Sequence, residues 1–204
     1  MTAKDAFGNL VTTGGSTVAI TKQSGAGSIG SVTDNGDGTY TAIVTAPTVT
    51  GSGVFVATLG GQAVKSGNAG QTQSMVSYVP GPADASQSSL TPTSASITAN
   101  GTATQVLTVT AKDANGNLET TGGSTVTITR QSGTGSVGSV TDNGNGTYTA
   151  TVTAPTATGS GVFVATLGAQ PVKSGNAAQT QSTITYVPGA AVASQSTLTP
   201  TSGV

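Results

Sequence analysis

The chain contains no cysteine, no histidine and no tryptophan, and charged residues make up only 6% of its 204 residues. Each absence closes off a class of chemistry. Without cysteine there is no disulfide framework, no thiolate metal site and no thiol nucleophile. Without histidine the commonest general base is missing. Serine and threonine are plentiful, but a serine nucleophile needs a partner base, and no Gly-x-Ser-x-Gly elbow leads into a helix. These absences point away from an enzyme. A net charge of −1 sets up no field to draw nucleic acid or an anionic membrane surface, so neither is expected as a partner. No apolar run approaches the ~18 residues of a membrane helix. The first residues, Met1-Thr-Ala-Lys-Asp-Ala-Phe-Gly8, carry no apolar signal core, so any export signal is expected on another part of the protein.

What fills the gap is Thr, Ser, Gly and Ala, in a strictly repeating order. Thr2-Ala-Lys-Asp5 recurs as Thr110-Ala-Lys-Asp113, Ser31-Val-Thr-Asp-Asn35 as Ser139-Val-Thr-Asp-Asn143, and Tyr78-Val-Pro-Gly81 as Tyr186-Val-Pro-Gly189. Each offset is 108 residues, and residues 2–96 align on 110–204 without a gap and with 20 differences. Such a period is too long for a solenoid unit and suits a self-contained sandwich domain.

Within the repeat the pattern is that of β-strands. Gln105–Ala111, Thr125–Thr129, Thr147–Thr153, Gly161–Leu167 and Gln181–Tyr186 alternate or run β-branched between Gly/Asn/Pro turns. In Thr147–Thr153 every second residue is Thr, while Tyr148, Ala150 and Val152 face the other way. One wet face and one buried face is what a sandwich of antiparallel sheets requires. The two copies agree. They differ in polarity on the Thr side, Ile43 against Thr151 and Met75 against Thr183, and they keep Val44/Val152 and Val76/Ile184 on the other. The fold class is therefore all-β, with tandem β-sandwich modules.

Pro80-Gly-Pro82 and Pro188-Gly189 read as linkers. Residues 1–81 form a module lacking its first strands, the counterparts of Ser86–Val109. Residues 82–189 form a complete module, and 190–204 open a further one with a strand of the kind the first lacks. Leu198 and Pro200 in that tail are the candidate assembly residues.

The stretch Leu90-Thr-Pro-Thr-Ser-Ala-Ser-Ile-Thr-Ala-Asn-Gly-Thr-Ala-Thr-Gln-Val-Leu-Thr-Val-Thr-Ala-Lys-Asp-Ala-Asn-Gly-Asn117 resembles the opening of bacterial Ig-like (Big) domains of the invasin/intimin type. Thr33-Asp-Asn-Gly-Asp-Gly-Thr-Tyr-Thr-Ala42 resembles a turn-and-strand signature shared with filamin-type repeats. The resemblance implies a structural or adhesive repeat of an extracellular fibre or adhesin on a bacterial (or phage) surface, acting as a spacer. The partners it implies are neighbouring repeats, with any host ligand bound by a part not present here. The mismatched ends add the expectation of head-to-tail assembly by strand donation from the tail, since heterologous contacts do not close. The alternative is a carbohydrate- or receptor-binding module, against which stand the missing Trp and 3% aromatics.

Two groups of residues carry candidate site chemistry. Asp34, Asp37 and Asp113 stand in Asn/Gly-rich loops whose alternating oxygens resemble a Ca²⁺ loop. Hairpin turns explain the same residues without a metal. The copies favour turns: Asn145 replaces Asp37, and Phe7 and Val11 stand for Asn115 and Glu119. Tyr40 and Tyr148, each in Gly-x-Gly-x-Tyr-like surroundings, lie near the position of the tyrosine corner of Ig sandwiches and are expected to bond backbone through the hydroxyl.

Overall fold

The structure is a computed structural model, of which residues 1–199 are described. The chain divides into two compact units, Met1–Val79 and Pro80–Val204.

The first unit is built on β1 (Val18–Gly25), β2 (Ser28–Ile29), β3 (Thr33–Asp34), β4 (Tyr40–Thr41), β5 (Val44–Thr45), β6 (Gly51–Leu59), β7 (Gln62–Ala63) and β8 (Gln73–Tyr78). The second adds β9 (Ser89–Thr91), β10 (Ser94–Thr98), β11 (Thr104–Thr110), β12 (Val126–Gly133), β13 (Ser136–Val137), β14 (Thr141–Asp142), β15 (Thr147–Thr153), β16 (Gly159–Leu167), β17 (Gln170–Pro171) and β18 (Gln181–Val187).

The second unit is a complete two-sheet sandwich. One sheet runs β10-β18-β16-β12, with β17 also on β16; the other runs β13-β15-β11-β9, with β14 on β15. All pairings are antiparallel except β10 with β18. Register decides which side chains meet. Leu90, Val109 and Tyr148 lie abreast across β9, β11 and β15 and are all buried. One residue along, Thr91, Thr108 and Thr149 lie abreast on the outer face. The period of two thus gives the sheet a greasy and a hydroxyl face. From the other sheet Ile128, Phe163, Ala165, Ile184 and Tyr186 complete the core. Burying Leu90, Leu107 or Val109 contributes about 1.5–3 kcal/mol each.

The first unit keeps one sheet, β1 and β8 on either side of β6 with β7 also on β6, and only fragments of the second, β2–β5 and β3–β4. Of the segment equivalent to β9, β10 and β11, only Met1 and Thr2, aligned on Val109 and Thr110, lie in the chain, and Thr2 bridges Thr39. The stretch that is continuous as β15 splits into β4 and β5: β11 flanks β15 along its whole length, whereas here only Met1 and Thr2 pair beside Thr39 and Tyr40.

Residues 190–199 form no strand. A short 3-10 turn at Ala193–Gln195 is their only regular element. Pro200, one of the two candidate assembly residues, lies outside the described residues.

Candidate functional site

The conspicuous feature of the first unit is the place where its second sheet should close. An open groove of about 1170 Å³ runs there, lined by Ile20, Val44, Phe55, Leu59, Val64 and Val76 among others. The same positions in the second unit show what fills it. Val152, Val172 and Ile184 are fully buried, whereas Val44, Val64 and Val76 are half-exposed.

The polar groups along the groove match the apolar ones. In the second unit the amides of Lys173, Ser174 and Gly175 donate to the carbonyls of Ala85, Ser88 and Ser86 at 3.0, 2.9 and 2.7 Å. The buried Ser182 hydroxyl donates to Pro92 O at 2.6 Å. The counterpart amides of Lys65, Ser66 and Gly67 have no acceptor among the described residues. Thr72 Oγ1 is buried without a partner. Its counterpart Thr180 Oγ1 bonds Ser174 Oγ at 2.8 Å, and Ser174 Oγ also accepts from the amide of Leu90. The buried Thr72 hydroxyl without a partner costs free energy, and in the second unit the equivalent amides and the Ser182 hydroxyl are met by Ala85, Ser86, Ser88 and Pro92.

Residues 190–199 repeat residues 82–91, with Ala190, Val192 and Thr197 in place of Pro82, Asp84 and Ser89. Leu198 repeats Leu90, yet it is 96% exposed where Leu90 is 1% exposed. The turn that leads into β9 is already formed in the tail. Ser196 Oγ donates to Val192 O at 2.9 Å, as Ser88 Oγ does to Asp84 O at 2.7 Å.

The candidate carboxylates are occupied by N–H and O–H donors. Asp34 accepts from the amides of Gly15 and Gly36 at 2.6 and 2.9 Å. Asp37 accepts from the amide and hydroxyl of Thr39 at 2.9 and 2.6 Å. The neutral Asn145 makes the same turn with Thr147 at 3.1 and 2.7 Å, so that turn needs no charge. Asp113 is buried and accepts from the amides of Gly81, Asn115 and Asn117 and from Asn117 Nδ2, all at 2.8–3.0 Å. The Asn117 side chain, followed by the Gly81 amide, holds its pKa down at about 2. Among the described residues no three Asp, Glu, His or Cys side chains gather as a metal site.

Tyr40 and Tyr148 are buried, and each hydroxyl accepts one backbone hydrogen bond at 2.9 Å, from Ser16 N–H and Ser124 N–H. The glycine two residues before each Tyr is required by close approach as well as by φ. A Cβ on Gly146 (φ +79°) would run into the carbonyl of Glu119. Sequence reasoning passed over two other groups. Tyr186, buried and with its hydroxyl pKa raised by that burial, donates to Thr134 O at 3.1 Å across Gly135. Asp113 reaches back to Gly81. The repeated Tyr-Val-Pro-Gly and the Gly-x-Gly before β2 and β13 were the available signal for the first; the second has none, since its donor is a backbone amide.

The fold and the complete second unit define the class: tandem immunoglobulin-like β-sandwich modules. The family described as "Invasin, domain 3" matches residues 1–81 and again 84–189, and the chain belongs to it. No curated protein matches the chain. Among solved structures it is similar to invasin, a bacterial integrin-binding protein, at 25% identity and a TM-score of 0.62, covering 91% of this chain and 35% of that one. It is similar to InvD of Yersinia pseudotuberculosis at 29% identity and a TM-score of 0.60, covering 97% and 54%. It is also similar to the Escherichia coli adhesin FdeC at 28% identity and a TM-score of 0.60, covering 93% and 57%. The chain thus spans between about a third and somewhat over half of those structures. The family is one of non-enzymatic adhesin domains.

Proposed function

We propose that this chain is a spacer segment of a bacterial surface adhesin, its repeats holding a recognition part away from the cell, and that one repeat completes another by strand addition. Membership of both repeats in the invasin domain 3 family carries the first part. The site for the second is the groove of the first unit, and its occupant is the opening segment of the repeat, seen free here as residues 190–199. The support is the preformed turn at Ser196, the exposed Leu198 and the unpartnered Thr72 hydroxyl. Main-chain bonds would supply affinity and the leucine register, as in other strand additions. The partners of the chain are then other copies of its own repeat. A host ligand, where the parent protein has one, is bound elsewhere.

Two measurements separate the parts. Deleting residues 190–204 should abolish concentration-dependent assembly in light scattering; unchanged assemblies would remove strand donation. Electron micrographs of arrays with increasing repeat number should show contour length growing in proportion. Collapsed particles of constant size would remove the spacer reading.

A further inference from the structure

We propose that Asp113 is a latch for the inter-module linker, capturing the backbone N–H of Gly81 and so stiffening the joint by which the chain runs into a repeat. The inference rests on the spacer reading and deepens it by naming what makes the spacer stiff.

The linker is Val79-Pro80-Gly81-Pro82. Rings fix φ in both prolines, which leaves Gly81 between them as the loosest residue. That residue is held. Gly81 N–H donates to Asp113 Oδ2 at 3.0 Å, and both lie within the second unit. The grip continues along the chain. Ala83 forms an isolated antiparallel bridge with Asp113, and Asp84 N–H donates to Lys112 O at 2.7 Å. Side chain and backbone of one residue thus hold the linker at two successive odd positions. Asp113 is only 2% exposed, and a hydrogen bond to a desolvated carboxylate is of the strong, charge-assisted kind.

The first unit provides the control within the same molecule. Asp5 makes the same loop, accepting from the amides of Phe7 and Asn9 and from Asn9 Nδ2 at 2.9 Å each. It does so while exposed and with no linker amide. The Asp-Ala-x-Gly-Asn loop is therefore complete without the Gly81 bond. The extra acceptor capacity of Oδ2 in Asp113 is used on the linker alone.

The absence of cysteine makes the test clean. Thr21→Cys and Thr129→Cys place spin labels at equivalent exposed positions of β1 and β12, one in each unit. The width of their distance distribution, by double electron–electron resonance, reports the stiffness of the joint. Asp113→Asn leaves one oxygen for four donors. That oxygen serves the two loop amides, and the new amide group faces Gly81, so the distribution should broaden. Asp5→Asn should leave the width unchanged. If Asp113→Asn loosens the second unit as a whole, replacing the Gly81 amide by an ester removes the N–H while leaving every side chain in place, and should broaden the distribution equally. A width unchanged in the ester variant, with near-ultraviolet circular dichroism of the buried tyrosines intact, overturns the latch. The contour-length measurement, which depends on folded repeats and not on Asp113, would still stand or fall on its own.

Discussion

Ser124 donates its backbone N–H to the hydroxyl of Tyr148 at 2.9 Å, 24 residues away, and Ser16 does the same to Tyr40 at the same distance and separation. The bond ties the loop before β12 to the strand that follows Gly146, so it joins the two sheets of the second unit at one end. Tyr148→Phe keeps the ring and its burial but strands the Ser124 amide. The loss should be about 0.5–1.5 kcal/mol, read from the denaturation midpoint of the second unit. Tyr40→Phe should act on the first unit alone, and hydrogen exchange resolved by unit would show any crossover.

The difference between an open and a closed sandwich can be measured with one substitution made twice. Leu167 is buried, and its counterpart Leu59 lines the groove half-exposed. Leu167→Ala should cost about 2–5 kcal/mol, the usual range for a packed leucine that leaves a cavity. Leu59→Ala should cost clearly less, because water already reaches its surroundings. Equal losses in chemical denaturation would mean that the groove is closed in solution.

Those two leucines also show how far the sequence could be read. Alternation made the faces of Thr147–Thr153 legible, since a period of two leaves little choice of side. The exposed Ile43 and Met75 sit where the copies trade an apolar residue for Thr. The phase of the repeat set the expectation of a first module without the counterparts of Ser86–Val109. What it could not show was their consequence for β15, whose counterpart breaks in two when one flanking ladder is lost; that is a property of pairing, not of local preference. The Gly81–Asp113 bond was illegible for another reason. A backbone amide has no letter in the sequence, and Asp5 carries the same local motif without it.

Glu119 provides a prediction of opposite sign to most mutations. One of its oxygens is buried without a partner, and desolvation, with the Asp113 charge added, raises its pKa. A carboxyl whose folded pKa is raised stabilises the fold below its ordinary range and loses that contribution as pH rises. At neutral pH the ionised Glu119 is therefore a burden. Glu119→Val, which installs the residue of the first copy, should raise the melting temperature at neutral pH. The gain should shrink in mildly acidic buffer.

Calcium should leave the protein unchanged. Asp34, Asp37 and Asp113 each accept N–H or O–H donors through at least one carboxylate oxygen, and a cation bound at those oxygens would have to compete with the donors. Melting curves in excess chelator and in millimolar Ca²⁺ should superimpose. A rise with Ca²⁺ that disappears in Asp113→Asn would show that the loop rearranges around the ion.

Acid should weaken the fold in part through Asp113. Its folded pKa of about 2 lies below the usual 3.8, held there by Asn117 and Gly81. The unfolded chain therefore takes up a proton at higher pH than the folded one. Stability linked to this group is fully present above the ordinary carboxylate range and falls away as pH drops from about 4 towards 2. Asp5, Asp37 and Asp84 are lowered in the same direction by their own amide and hydroxyl donors, so both units should weaken over that interval. The decisive comparison is by amide exchange at Gly81. Its protection should decline with the protonation of Asp113 in the parent chain, whereas in Asp113→Asn it should already be low and independent of pH once the intrinsic exchange rate is divided out.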